Sequence, residues 1–119
     1  MGSLQRIALI FAVHDLDVAM AHYRQLGFAV RAYRGGGYGF ASRDGVEIHL
    51  GVVPADDRRV SSAYLFVDDA DDMASAWISA GVDVHLPQDT EWGQHEGAVV
   101  DPDGNVIRFG SPMAEAAGS

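Results

Sequence analysis

The sequence predicts an α+β domain of two tandem βαβββ modules forming an open, groove-enclosing sheet. Two observations predict it: an internal repeat, and the same order of strand-like and helix-like patterning inside each copy. Residues 13–30 match the residues 54 positions later, VHDLDVAMAHYRQLGFAV against VDDADDMASAWISAGVDV. Val13 falls on Val67, Asp15 on Asp69, Asp17 on Asp71, Tyr23 on Trp77 and Gly27 on Gly81. Past a five-residue shift, residues 44–50 match residues 103–109 at an offset of 59. A unit written twice and ending in strands is expected to cover its open edge with its twin, leaving a groove between equivalent positions.

Each element follows from its residues. Residues 6–13 are β-branched and large apolar side chains that stop before Asp15, a good helix N-cap. Leu16, Ala19, Met20, Tyr23 and Leu26 then recur at helical spacing, with Gly27 as the stop. Strands are expected over 29–33, 38–42 and 46–53, separated by Gly35-Gly36-Gly37 and Arg43-Asp44-Gly45, both turn signals. A polar linker, 54–60, leads to a strand over 63–67 and a helix marked by Ala70, Met73, Ala74, Trp77 and Ala80 before Gly81. Strands over 83–86, 97–100 and 106–110 follow, the last two joined by the turn Asp101-Pro102-Asp103-Gly104. Tyr23 and Trp77 read as core residues. The expected organisation is a single domain, 1–119, with modules at 6–53 and 61–110 and a flexible tail over 111–119, frayed from Ala114 onward.

Composition narrows the function. At 119 residues and 48% hydrophobic the chain supports one compact core and is too short for two independent ones. There is no cysteine, which removes disulfides, thiolate zinc sites and cysteine nucleophiles. The longest apolar run, residues 7–13, suits a buried strand and falls far short of a membrane span. Residues 1–4 lack a basic region followed by a long apolar core, so no secretion signal is expected and the expected location is cytoplasmic. A net charge of −9 with only eight Lys and Arg argues against nucleic acid and suits a cationic ligand. No nucleophile elbow supports a Ser–His–Asp arrangement around Ser42, Ser61 or Ser62. None of His14, His22, His85 and His95 forms a close HxH or HxxxH pair, and surface or turn roles are expected for them, with His95 placed near the groove mouth.

The helix pattern DLDxAxxxYxxLGF together with the closing Asp101-Pro102-Asp103-Gly104-Asn105 turn resembles the vicinal oxygen chelate superfamily, which includes glyoxalase I, extradiol dioxygenases, fosfomycin-resistance enzymes and bleomycin-resistance proteins. The resemblance spans residues 6–110. In catalytic members it implies metal ligands on the first and last strand of each module, and those positions fall here on Ala8, Ser62, His49 and Arg108. Only His49 is a usual ligand, and the permanent charge of Arg108 would repel a divalent cation. Trp92-Gly93-Gln94-His95-Glu96 leading to the 101–105 turn and Arg108 is similar, at subfamily level, to the bleomycin-resistance proteins, as is Arg43-Asp44-Gly45 with His49. That resemblance implies a homodimer without metal or other cofactor that sequesters its ligand.

Strand alternation gives the face. If Ala8, His49, Ser62 and Arg108 point inward, then Ile10, Glu47, Tyr64, Phe66 and Val106 share that side, while Tyr38 and Phe40 share one face of their own strand. The expected ligand-binding residues are Tyr38, Phe40, Glu47, His49, Tyr64, Trp92, His95 and Arg108, with no catalytic residue and no metal ligand. The expected function is metal-free sequestration of an amphipathic, aromatic and cationic small molecule of the bleomycin type, by a homodimer that engages neither nucleic acid nor membrane. The alternatives are a metal-dependent lyase, isomerase or dioxygenase of the same superfamily, and a binding module for an endogenous metabolite.

Overall fold

A computed structural model describes residues 2–113 of the chain. The elements run β1 (Leu9–Val13), α1 (Leu16–Gln25), β2 (Ala29–Ala32), β3 (Tyr38–Arg43), β4 (Val46–Val52), β5 (Ser62–Phe66), α2 (Ala70–Ser79), β6 (Val84–Asp89), β7 (Gln94–Val100) and β8 (Val106–Pro112). They form two four-stranded sheets with matching order, β1-β4-β3-β2 and β5-β8-β7-β6. In each sheet the module's first strand runs parallel to its last, Leu9 opposite Ile48 and Ser62 opposite Val106. The α+β class and the duplicated βαβββ order are those the repeat predicts.

The local causes are also duplicated. Asp15 caps α1 by accepting from Val18 N–H at 3.1 Å, and Asp69 caps α2 by accepting from Asp72 N–H at 3.0 Å. The β3–β4 hairpin turns at Asp44 (φ 51°) and Gly45 (φ 82°), the left-handed pair that a two-residue turn needs.

The structure moves several strand ends. β1 begins at Leu9, not at residue 6, and residues 6–8 stay outside the ladder that starts with Leu9 opposite Ile48. β6 reaches Asp89 through a register shift between His85 and Gln88, where Pro87 lacks an N–H for the ladder. β7 starts at Gln94, directly after a tight turn that carries Trp92 at its tip. β8 continues past Gly110 to Pro112, and Ser111 is buried with its Oγ accepting from Ala70 N–H at 3.0 Å. Ser111 and Pro112, expected in the tail, therefore belong to β8, and the part of the expected tail over 114–119 lies outside the described residues.

The helix-bearing faces of both sheets feed one core. Phe11, Val13, Ala41, Ile48 and Leu50 from the first sheet join Val99, Ile107 and Phe109 from the second around Tyr23, Leu26 and Trp77. Tyr23 and Trp77, equivalent in the repeat, each reach into the other module. Tyr23 Oη–H donates to Asp101 Oδ2 at 2.9 Å, and Trp77 Nε1–H donates to the Leu26 carbonyl at 3.0 Å.

The turn between β7 and β8 acts as a clasp. Asn105 Nδ2–H donates to the Ala12 carbonyl at 2.9 Å while its Oδ1 accepts from Ser61 N–H at 3.0 Å. Asp103 Oδ1 accepts from both the backbone and Nδ1 of His14, at 3.0 and 2.8 Å. His14, expected in a surface or turn role, thus bridges β1, this turn and the linker, where its Nε2 meets the Asp57 carbonyl at 2.7 Å. His22, expected in a surface or turn role, faces the second module, in a crevice with Val100, Asp101 and Pro102. Burial there lowers its pKa.

With the helix side of each sheet spent on the core, the other side of each is left open. The radius of gyration is 15.8 Å, against about 13 Å for a compact chain of this length.

Candidate functional site

The first open face is built on β3 and β4. Alternation sends Ala41, Ile48 and Leu50 into the core and leaves Tyr38, Phe40, Glu47 and His49 on the other side. Phe40 sits opposite His49 in the ladder, with ring centroids 4.9 Å apart and edge-on. His49 is held at both nitrogens, Nδ1 to Tyr38 Oη and Nε2 to Glu47 Oε1, each at 2.9 Å. A neutral ring satisfies both bonds by donating from Nε2 to the carboxylate and accepting the tyrosine proton at Nδ1. Arg6 closes the chain by pairing with Glu47, and these contacts, Arg6 first and His49 second, hold the Glu47 carboxyl below its usual range. The Arg31 guanidinium lies 4.0 Å from the Phe40 centroid, a cation–π contact.

The second open face is built on β5, β7 and β8. Tyr64 and Phe66 stand with ring centroids 4.9 Å apart, and Phe66 is 77% exposed. Glu96 receives Trp92 Nε1–H at 3.3 Å and Arg108 Nη1–H at 3.4 Å. The two tryptophans are opposites, Trp92 being 67% exposed and Trp77 2%. A depression of about 370 Å³ on this face is lined by His85, Gln88, Glu96, Ala98 and Arg108 among others.

Of the eight residues expected to bind ligand, Tyr38, Phe40, Glu47 and His49 come together on the first face, and Tyr64, Trp92 and Arg108 on the second. His95 joins neither. It shares its side of β7 with Gly97 and Val99, toward α2, where Nε2 meets Asp71 Oδ1 and Nδ1 meets Asp89 Oδ1, each at 2.8 Å. Those two carboxylates raise the His95 pKa. Among the described residues no hydrogen bond, ion pair or ring contact joins one open face to the other. Most of the residues expected in one groove therefore stand on two separate faces. What lies between the modules is a largely apolar cleft of about 500 Å³, where Glu47 of the first face and Tyr64 of the second line the wall with Ala8, Leu9, Ile48 and Ala63 among others.

Glu96 is the residue that the sequence reading left out. The signal for it was present: Gly97 and Val99 alternate toward the helix, so Glu96 and Ala98 must take the open side.

The family's metal does not fit these residues. The expected ligand positions hold Ala8, Ser62, His49 and Arg108, and both nitrogens of His49 are already engaged. Among the described residues no group of three or more His, Cys, Asp or Glu side chains is placed to hold a metal ion. No helix among them is long and apolar enough to cross a membrane.

Two open sheets on a duplicated βαβββ frame define the class. A family model for the Glyoxalase/Bleomycin resistance protein/Dioxygenase superfamily matches residues 3–109, and the chain belongs to that family. It is 30% identical over 105 residues to a bleomycin resistance protein from Klebsiella pneumoniae, covering 80% of this chain and 82% of that one. The fold is similar to the crystal structure of a bleomycin resistance determinant encoded on the transposon Tn5, with a TM-score of 0.81 and 24% identity over 93% of this chain and 100% of the other. It is similar also to a bleomycin-binding protein crystallised with bleomycin, with a TM-score of 0.79 and 25% identity over 92% and 100% of the two chains.

Proposed function

We propose that the protein binds and sequesters a bleomycin-type compound, or another amphipathic molecule with flat aromatic and cationic parts, without metal and without transforming it. The observation that carries this is the pair of open faces. Each offers aromatic rings beside a carboxylate, Tyr38 and Phe40 with Glu47 on one, Tyr64, Phe66 and Trp92 with Glu96 on the other. The 30% identity to a bleomycin resistance protein favours the same ligand class. Ala8, Ser62 and Arg108 in the family's ligand positions favour binding over metal-dependent catalysis.

The binding unit is a homodimer in which the first face of one chain covers the second face of its partner. Its support is the open state of both faces, the extended dimensions of 56 × 45 × 25 Å, and the exposed apolar side chains of Leu4, Ile7, Ile10 and Phe66. Metal-free bleomycin titrated into the protein should quench the exposed Trp92 and leave the buried Trp77 silent, with the complex sedimenting at twice the chain mass. A titration with no quenching excludes the bleomycin-type ligand. A monomer at micromolar concentration excludes the composite site.

A further inference from the structure

Glu96 holds an unusual position for a carboxylate on an open face, because its side chain is only 9% exposed. A charge withdrawn that far from water is ordinarily matched by short, charge-assisted bonds of about 2.7–2.9 Å. Its partners here are Trp92 at 3.3 Å and Arg108 at 3.4 Å, and Arg108 is itself 58% exposed and free to swing away.

Two further oxygens close by are buried. Tyr64 Oη has only a loose contact with the Glu96 carboxylate and Gln94 Oε1 makes no hydrogen bond, and both lie against the bare Cα of Gly110, where any Cβ would collide with the tyrosine hydroxyl. Burial first, and the Glu96 carboxylate beside it, raise the Tyr64 pKa, so the phenol stays protonated. The site sets a buried carboxylate beside an unpartnered amide oxygen, in an acidic chain of net charge −9. Trp92, Tyr64 and Phe66 supply ring surface around it, and the depression of about 370 Å³ gives it access.

We infer that Glu96, with Tyr64 and Gln94, forms a subsite for a cationic N–H donor, a primary ammonium or amidinium group, which enters beneath Trp92 and replaces the loose Arg108 contact. An N–H-rich cation donates to the Glu96 carboxylate and the Gln94 carbonyl oxygen, and the indole adds a cation–π contact. This deepens the ligand-binding reading by naming which group of the ligand is anchored and by which residue.

The test uses small probes, so that it stands apart from the bleomycin titration. Benzylammonium and benzyl alcohol are matched in ring and size and differ in charge. Each is titrated into the full chain while the indole N–H resonances of Trp92 and Trp77 are followed by NMR. Benzylammonium should shift the Trp92 signal saturably and benzyl alcohol should not. Glu96→Gln should weaken benzylammonium binding by about tenfold or more, and Glu96→Asp should restore part of it. An unmoved Trp77 signal certifies the fold of each variant. Equal responses to both probes, no response to benzylammonium, or wild-type affinity in Glu96→Gln overturns the subsite. The wild-type comparison of the two probes decides the matter even where a variant fails to fold. Failure of bleomycin to bind while benzylammonium binds through Glu96 removes the ligand class and leaves the subsite standing.

Discussion

Tyr23 Oη–H donates to Asp101 Oδ2 at 2.9 Å, joining residues 78 apart and tying the helix of the first repeat to the closing turn of the second. Asp101 Oδ2 also accepts from Asn105 Nδ2 at 2.9 Å, so one buried carboxylate serves both the turn and the module interface. Tyr23→Phe removes one donor and leaves the rest of the clasp in place. The expected loss is about 1–2 kcal/mol in urea unfolding. An unchanged midpoint would show that the bond is not stabilising.

The His14 bridge should make stability depend on pH. Its two ring nitrogens face acceptors, the Asp57 carbonyl and the Asp103 carboxylate, which raise its pKa, the carbonyl contributing more. A raised folded-state pKa gives stability that is fully present below the ordinary histidine value near 6.5 and lost as pH rises through the higher folded value. The gap in unfolding midpoint between wild type and His14→Ala should thus be wider at about pH 6 than at about pH 8.5. An equal gap at both pH values removes the imidazolium from the clasp.

Gly110 should tolerate no side chain. A Cβ there would strike the Tyr64 hydroxyl and come within 3.4 Å of Gln94 Oε1. Gly110→Ala should cost about 1–3 kcal/mol, and adding Tyr64→Phe should recover part of it. Simple additivity of the two substitutions contradicts this contact.

The fold was legible because it is written twice. The 54-residue offset carries Asp15 to Asp69 and Tyr23 to Trp77, and both pairs keep one role in both modules, as caps and as side chains crossing to the other half. Faces of strands were legible too, since alternation alone separates Glu47 and His49 from Ile48 and Leu50. The relation between the faces was not. Periodicity says which side a residue takes and is silent on whether two sheets turn their open sides toward each other, so residues expected in one groove fall on two faces. His95 went astray for a related reason: the β7 strand starts three residues earlier than expected, at Gln94 instead of Gly97, so His95 belongs to the ladder and its side is set by Gly97 and Val99. The 101–105 turn, read as a hairpin closure, gave no sign in sequence that its side chains reach His14, Tyr23 and Ala12.

Trp92 should dominate ligand affinity from the second face. It is exposed at a hairpin tip, so Trp92→Ala removes stacking and leaves the core intact. Binding of a cationic aromatic ligand should fall by about tenfold, and wild-type affinity should itself weaken as salt is raised. A variant that binds as tightly as its parent places the ligand elsewhere.

The central claim is metal-free capture without chemistry, and calorimetric titration of chelator-treated protein with metal-free bleomycin tests it most directly, followed by mass analysis of the recovered ligand. Saturable binding with full recovery of unaltered bleomycin is the expected result. Binding that appears only when a divalent metal is restored, or a ligand recovered in altered form, contradicts it.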